Sequence, residues 1–314
     1  VKSHWPKSLD DVVVPTNMRG DIMVGSSSDA EDVANRLEQL KKEKPRVSKY
    51  CLMSAADSYT DFHVDFGGTA VWYHLYDGSK TFFFIEPTPK NLKIFSKWAT
   101  NATTGKRGKK SAFLPDLILS SGGKVCEVVL RKGQTLFIPS GWIHAVHTPV
   151  DSLVFGGNFV HRHSLEMQLT IHRLEGQMRV GNDFRFPNYQ RLMWYAARDF
   201  LAECNEVLRK GRRRDRLNKN NDPIDEHRQC RAQKILCAAY PPHVLSGYSV
   251  LAKELERWSV SKEKHTIQQY PENMNVVAVS TELGNMMKPC VAYLDDKNGK
   301  KKLDGKHKQG SAQH

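Results

Sequence analysis

Between Val47 and Val160 the chain is a succession of short apolar or aromatic runs, each cut off within a few residues by glycine, proline or aspartate. That punctuation leaves little room for helices. The runs are Tyr50-Cys51-Leu52-Met53, Ala70-Val71-Trp72-Tyr73, Thr81 to Ile85, Val125 to Leu130, Thr135 to Ile138 and Leu153-Val154-Phe155. Strands this short and this closely spaced predict an antiparallel sandwich or barrel. From Pro187 onward the pattern turns helical. The predicted organisation is an N-terminal segment over residues 1–46 with an inserted helix, a β-rich domain over 47–186, a helical domain over 187–292 and a basic, disordered tail over 293–314.

Caps and breakers place the helices. Ser28 or Asp29 caps one whose Val33, Leu37 and Leu40 share a face, followed by the charged Lys41 to Lys44. Pro89 opens a helix with Leu92, Phe95 and Trp98 in register, and Gly105 to Lys110 reads as a basic loop. Leu192 to Leu208 runs toward Gly211 as a C-terminal stop. Further helices are predicted from Asp222-Pro223 to about Tyr240, over His243 to Trp258 and around Thr281 to Met287. No internal repeat is visible.

Composition narrows the class of protein. Lys and Arg outnumber Asp and Glu 47 to 34, a net charge of +13 that suits polyanionic surroundings. The six cysteines are scattered without a C-x-x-C pair, which argues against a zinc module within the chain and against a secreted disulfide framework, and for a reducing compartment. No apolar run approaches the roughly 20 residues a membrane span needs. Val1-Lys2-Ser3-His4-Trp5-Pro6 has neither an initiator Met nor a signal-peptide core, so the chain reads as a piece of something longer.

The chemistry-bearing segment is Ser58-Tyr59-Thr60-Asp61-Phe62-His63-Val64-Asp65-Phe66-Gly67-Gly68-Thr69. His63 and Asp65 are two apart, so on a strand both side chains leave the same face. One imidazole and one carboxylate supply two ligands of the facial triad that holds non-haem Fe(II) and leaves the opposite positions open. A bare H-x-D is common by chance and needs a third histidine. The candidate lies after the Pro139-Ser140-Gly141 turn, where His144 and His147 have opposite parity and only one joins the site. His161 and His163 are substitutes in what reads as a strand end. Satisfied core or surface residues remain the alternative reading of all of them.

Parity also bears on Lys80. Asp77-Gly78 is a type I′ hairpin signal that pairs Leu75 with Lys80 and puts Lys80 on the face of Leu75 and Tyr73. A three-residue turn at Phe66-Gly67-Gly68 brings Tyr73 to the face of His63; a two-residue turn brings Trp72 instead. A lysine inside a barrel needs an anionic partner, because an unpaired buried ammonium is expensive. The alternative is an exposed edge-strand lysine that blocks sheet-to-sheet pairing.

Tyr59 to Thr69, Val71-Trp72-Tyr73-His74, Gly141-Trp142-Ile143-His144-Ala145-Val146 and Phe155-Gly156-Gly157-Asn158-Phe159 together resemble the JmjC histone demethylases. The nearest branch holds the PHD-finger demethylases and their F-box relatives; Gly133 to Pro139 and Tyr240 to Trp258 look closest to the PHD-finger members. The resemblance runs, with gaps, from about Trp5 to Asn298. It implies a fold that is mainly β with α: a double-stranded β-helix (a cupin-like jelly roll), followed by a C-terminal helical domain. It implies an Fe(II)- and 2-oxoglutarate-dependent dioxygenase of the nucleus. With O2 this enzyme demethylates methyl-lysine on histone tails, releasing formaldehyde, succinate and CO2. His63, Asp65 and His144 would hold the iron. Thr60, Tyr73 and Lys80 would bind 2-oxoglutarate, its distal carboxylate being the partner of Lys80. Asn158 would line the pocket near the methyl-lysine, or else satisfy backbone after Gly156-Gly157.

Thr60 lies an odd number of residues from His63 and needs a bulge near Asp61 to share the site. Some relatives carry a tyrosine at the last metal position; His144 is kept here, which points to an active enzyme. The implied partner is a methylated histone tail, of histone H3, in nucleosomes. Lys210-Gly211-Arg212-Arg213-Arg214-Asp215-Arg216 and the lysine-rich tail are solvated faces, nuclear-import signals or non-specific DNA contacts. The stretch from Trp5-Pro6 to Lys49-Tyr50 is longer than the family pattern, and the family's first jelly-roll strands, with any PHD finger, would precede Val1. The rival readings are a JmjC-type protein hydroxylase, a non-catalytic chromatin scaffold and a plain nucleic-acid-binding module.

Overall fold

The computed structural model describes residues 44–103, 112–217, 226–260, 271 and 274–309. The chain divides into two compact units, residues 45–187 and a second unit that begins at Asn188. The helix predicted after Asp29, the loop at Gly105 to Lys110 and the helix start at Asp222-Pro223 lie outside the described residues.

The first unit holds strands β1 (Tyr50–Ser54), β2 (Ser58–His63), β3 (Ala70–Ile85), β4 (Cys126–Arg131), β5 (Thr135–Ile138) and β6 (Ile143–Phe159), with helices α1 (Pro89–Thr103), α2 (Leu114–Ser120) and α3 (Leu165–Gln177). Its frame is β3 and β6, two long antiparallel strands paired from Ala70↔Phe159 to Ile85↔Ile143. The first half of β3 also pairs with β5, and the half of β6 opposite it with β1. The second half of β3 pairs with β4, and the facing half of β6 with β2. Each half of the β3–β6 pair is therefore the centre of a four-stranded antiparallel sheet, and residues of both sheets line one cavity. This is the predicted jelly roll.

The changeover between sheets lies where the β3–β6 register shifts, between Leu75 and Thr81. Asp77-Gly78 sits there, inside the continuous strand β3, and the predicted hairpin does not form. The local turn signal loses to a partner strand: both flanks of Asp77-Gly78 pair with β6 rather than with each other. Gly78 keeps a positive φ of 90° as part of the bulge, and a Cβ there would lie 2.3 Å from the Asp151 carbonyl oxygen. Pro149 falls at the same bend of β6, where the ladder can spare an N–H.

Strand alternation sorts the core. Phe82 and Phe84 point inward with Val71, Leu75, Ile138 and Val154. Phe83 and Ile85 point outward, against Leu92 and Phe95 of α1 and Ile118 of α2. Burying each such side chain contributes roughly 1.5–3 kcal/mol. Helix α1 starts where predicted because Pro89 needs no N–H there and the Thr88 hydroxyl accepts the Asn91 N–H at 3.1 Å.

The second unit contains α4 (Tyr189–Leu217), α5 (Glu226–Ala239), α6 (Pro242–Val260) and α7 (Val276–Gln309). Phe200 of α4 stacks on Tyr248 of α6 with centroids 3.6 Å apart and meets Tyr240 edge-on. Gly211 does not end α4, which continues to Leu217. A Cβ at Gly211 would lie 2.8 Å from Ile235 Cδ1, so this glycine serves close packing of α5 rather than a stop. Helix α7 likewise runs through the lysine-rich stretch predicted as a disordered tail, ending at Gln309; lysine is a good helix former. No helix among the described residues is long and apolar enough to cross a membrane.

Candidate metal centre

Strand β2 delivers His63 opposite His144 of β6, bringing the two rings to a centroid distance of 4.3 Å. Asp65 lies just past the end of β2, but its backbone is still extended (φ −59°, ψ 139°), so the alternation that aims His63 carries on to it. One ligand atom from each of His63, Asp65 and His144 lies within 4.8 Å of the others.

Hydrogen bonds set the tautomers. The Nδ1 of His63 is 2.8 Å from the Asp61 carbonyl oxygen, and that of His144 is 3.0 Å from the Trp142 carbonyl oxygen. Each Nδ1–H thus donates to a backbone carbonyl, which leaves Nε2 as the nitrogen turned to the site, the orientation metal-binding imidazoles use. Burial, and then the neighbouring His63, push the His144 pKa down to about 4, so that ring is neutral at pH 7. Asp65 has its Oδ2 3.8 Å from His144 Nε2, and its Oδ1 accepts from Asn158 Nδ2 at 3.3 Å. Two imidazoles and one carboxylate group facing an open cavity are the donor set and geometry that suit non-haem Fe(II).

The cavity, of about 610 Å3, holds the other predicted residues as well. Thr60 lines it because the β2–β6 register shifts by one residue between Thr60 and His63, the irregularity that its odd spacing demanded. Tyr73 also lines it, though not by the predicted route. Phe66–Gly68 is a three-residue 3-10 turn, yet β2 and β3 do not pair with each other; β2 ends opposite His144 and β3 begins opposite Phe159. Burial pushes the Tyr73 phenol up to about 12, which keeps it a neutral donor.

Lys80 is 3% exposed, so the edge-strand reading fails. Its Nζ donates to Thr148 Oγ1 at 2.6 Å, and burial lowers its pKa below the ordinary lysine value. Asn158 does not satisfy backbone with its amide. Its Nδ2 bridges Asp65 Oδ1 and Thr69 Oγ1, the latter at 2.8 Å. Of the alternative histidines, His147 faces away from the cavity, and His161 and His163 pack against each other beyond the end of β6.

Two residues escaped the sequence reading. Thr148 shares the parity of His144 and Val146 on β6, a signal that was available. Glu175 of α3 accepts the Gly67 N–H at 2.7 Å across 108 positions of sequence, and no local pattern announces it.

Residues 50–159 match the family model described as "JmjC domain, hydroxylase", and residues 163–218 match the "Jumonji helical domain". The chain is similar to histone lysine demethylase PHF8 of Danio rerio, at 44% identity over 172 residues, 54% of this chain and 16% of that protein. It is also similar to lysine-specific demethylase 2A of Xenopus tropicalis, at 48% over 158 residues (50% of this chain, 13% of that protein). Lysine-specific demethylase 7B of Danio rerio aligns at 32% over 255 residues, 81% of this chain and 37% of that protein. The chain thus spans little more than a third of the length of these relatives at most.

Proposed function

Because the chain belongs to the JmjC family and carries a Jumonji helical domain after its jelly roll, we propose that it is an Fe(II)- and 2-oxoglutarate-dependent demethylase of methyl-lysine on histone tails in the nucleus. The observation that carries this reading is one cavity lined both by the His63–Asp65–His144 set and by a buried ammonium, Lys80, that forms no ion pair among the described residues.

His63 and His144 offer Nε2, and Asp65 offers a carboxylate oxygen, to one ion. Bound there, iron(II) with 2-oxoglutarate and O2 supplies the oxidation of an N-methyl group, with succinate, CO2 and formaldehyde as products. The protein's part is binding and exclusion of water. Lys80, oriented by Thr148, takes the distal carboxylate of the cosubstrate, and the hydroxyls of Tyr73 and Thr60 complete that end of the cavity. Asn158, beside Asp65 on the cavity wall, lies where the methyl-lysine enters. The exposed Arg212 and Arg213 at the end of α4 supply a non-specific contact to nucleosomal DNA.

The test is mass spectrometry of a panel of methylated histone-tail peptides incubated with the protein, iron and 2-oxoglutarate, with formaldehyde measured in parallel. Loss of 14 mass units per turnover (about one CH2, the methyl-for-hydrogen exchange) with matching formaldehyde supports demethylation. A stable gain of one oxygen would instead make the chain a hydroxylase, and no product on any peptide would refute the reading.

A further inference from the structure

The turn that carries Asp65 is held from two sides. Within it, the Gly68 and Thr69 amides donate to the Asp65 and Phe66 carbonyls at 3.0 and 3.2 Å, leaving the Gly67 N–H pointing out of the turn. Gly67 and Gly68 both have positive φ, 59° and 60°, a conformation that glycine adopts freely and side chains disfavour. The Gly67 N–H meets Glu175 Oε1 at 2.7 Å. Gly68 sits directly on α3, where an added Cβ would lie 2.9 Å from Gln168 Cα. On the cavity side, Asn158 ties Asp65 Oδ1 to Thr69 Oγ1 and so spans the turn.

Glu175 is an expensive residue in this place. It is 5% exposed; its Oε2 is buried and makes no hydrogen bond among the described residues, with the Nδ1 of His172 4.0 Å away. Burial raises its pKa to about 7, against the opposing effects of the Gly67 amide and Arg185. A helix that needed only to pack would place an apolar side chain here at lower cost. The carboxyl's one hydrogen bond goes to the backbone two residues from a proposed metal ligand.

We infer that Glu175 is a positioning residue for the metal centre: by accepting the Gly67 N–H it fixes the Phe66–Gly68 turn on α3, so that Asp65 presents its carboxylate to the two imidazoles. The inference rests on the metal reading of His63, Asp65 and His144. It assigns to the segment behind the jelly roll a direct part in the affinity of the site.

The test uses Mn(II) as probe, titrated by calorimetry into the wild-type chain and into Glu175→Met and Glu175→Gln, with Tm of each protein alone. Methionine fills the space without an acceptor, while glutamine retains a carbonyl for the Gly67 amide. Glu175→Met is expected to weaken Mn(II) binding about 10- to 100-fold, the usual effect of losing an outer hydrogen bond behind a metal ligand. Glu175→Gln stays within about threefold of wild type, since its acceptor remains. A lowered Tm in Glu175→Met with unchanged Mn(II) affinity makes the residue merely structural and overturns the inference. Failure of the wild type to bind Mn(II) overturns the metal reading instead. Should Glu175→Met not fold, hydrogen exchange at the wild-type Gly67 amide decides: protection supports the clamp, and exchange at the rate of an open loop refutes it.

Discussion

Replacing Lys80 by methionine should make the protein more stable and worse at using its cosubstrate, two effects of opposite sign from one side chain. Lys80 is 3% exposed and its one hydrogen bond goes to Thr148. In the cosubstrate-free protein the ammonium is a desolvated charge with a single neutral partner. Exchange of such a group for an apolar one of similar length is neutral or stabilising by about 1–4 kcal/mol, or about 2–16 °C in Tm at roughly 2–4 °C per kcal/mol for a domain of this size. Once an anionic cosubstrate lies against it, the same group is an asset. Removing one partner of a buried, hydrogen-bonded charge pair costs about 2–5 kcal/mol, which is about 30- to 5,000-fold in affinity. A pH dependence follows. Folding lowers the pKa of Lys80, so its charge costs stability below that lowered value, and the cost fades as pH rises toward the ordinary 10.5. Scanning calorimetry with and without 2-oxoglutarate and Mn(II), run beside the 2-oxoglutarate dependence of formaldehyde release, reads both effects. An unchanged cosubstrate dependence, with a Tm lowered by many degrees, would refute the account and make Lys80 a structural residue.

Asp65→Ala and His144→Ala should each abolish turnover and Mn(II) binding while Tm moves by only a few degrees, since each removes one of three proposed ligands; full activity with metal bound in His144→Ala would sink the assignment. Gly157→Ala should lower Tm by several degrees, because its Cβ would lie 2.0 Å from the Ser48 carbonyl oxygen and 2.8 Å from Trp72 Nε1, and overpacking of that kind costs about 1–3 kcal/mol; an unchanged melting curve would place that strand approach elsewhere. Glu175→Gln should flatten the stability profile between pH 5 and 8. The folded-state pKa of Glu175 is raised from 4.5 to about 7, so its favourable contribution is complete below 4.5 and is lost as pH climbs to about 7, a change of roughly 3 kcal/mol; parallel wild-type and Glu175→Gln profiles would contradict this.

That His63 and Asp65 leave one face was legible because strand parity is a local property that survives whatever the strands pair with; parity left His144 and His147 as alternatives, and the pairing of β2 with β6 sets His144 opposite His63. Thr60 was legible as a condition, a bulge near Asp61, and the one-residue register shift before His63 supplies it. Pairing was not legible. The turn at Phe66-Gly67-Gly68 has the length that brings Tyr73 to the cavity, yet it crosses from one sheet to the other instead of closing a hairpin. At Asp77-Gly78 and at Gly211 a strong local signal was overridden by a distant neighbour, β6 in one case and Ile235 in the other. Glu175 shows the limit most plainly: a hydrogen bond spanning 108 positions leaves no trace in spacing or periodicity.

Strand β6 is the last of the unit to leave the ribosome, and both β1 and β2 pair, among the described residues, with β6 alone. Until Ile143–Phe159 is made, those two strands have nothing to dock on. The nascent chain therefore carries His63 and Asp65 for some 80 positions of synthesis before His144 arrives (a loop closure of the kind that slows folding). Acquisition of metal affinity then becomes a clock for completion of the barrel. In a series of stalled chains, Mn(II)-dependent protection from protease should be absent before residue 143 has emerged and should appear only once β6 is free to enter both sheets.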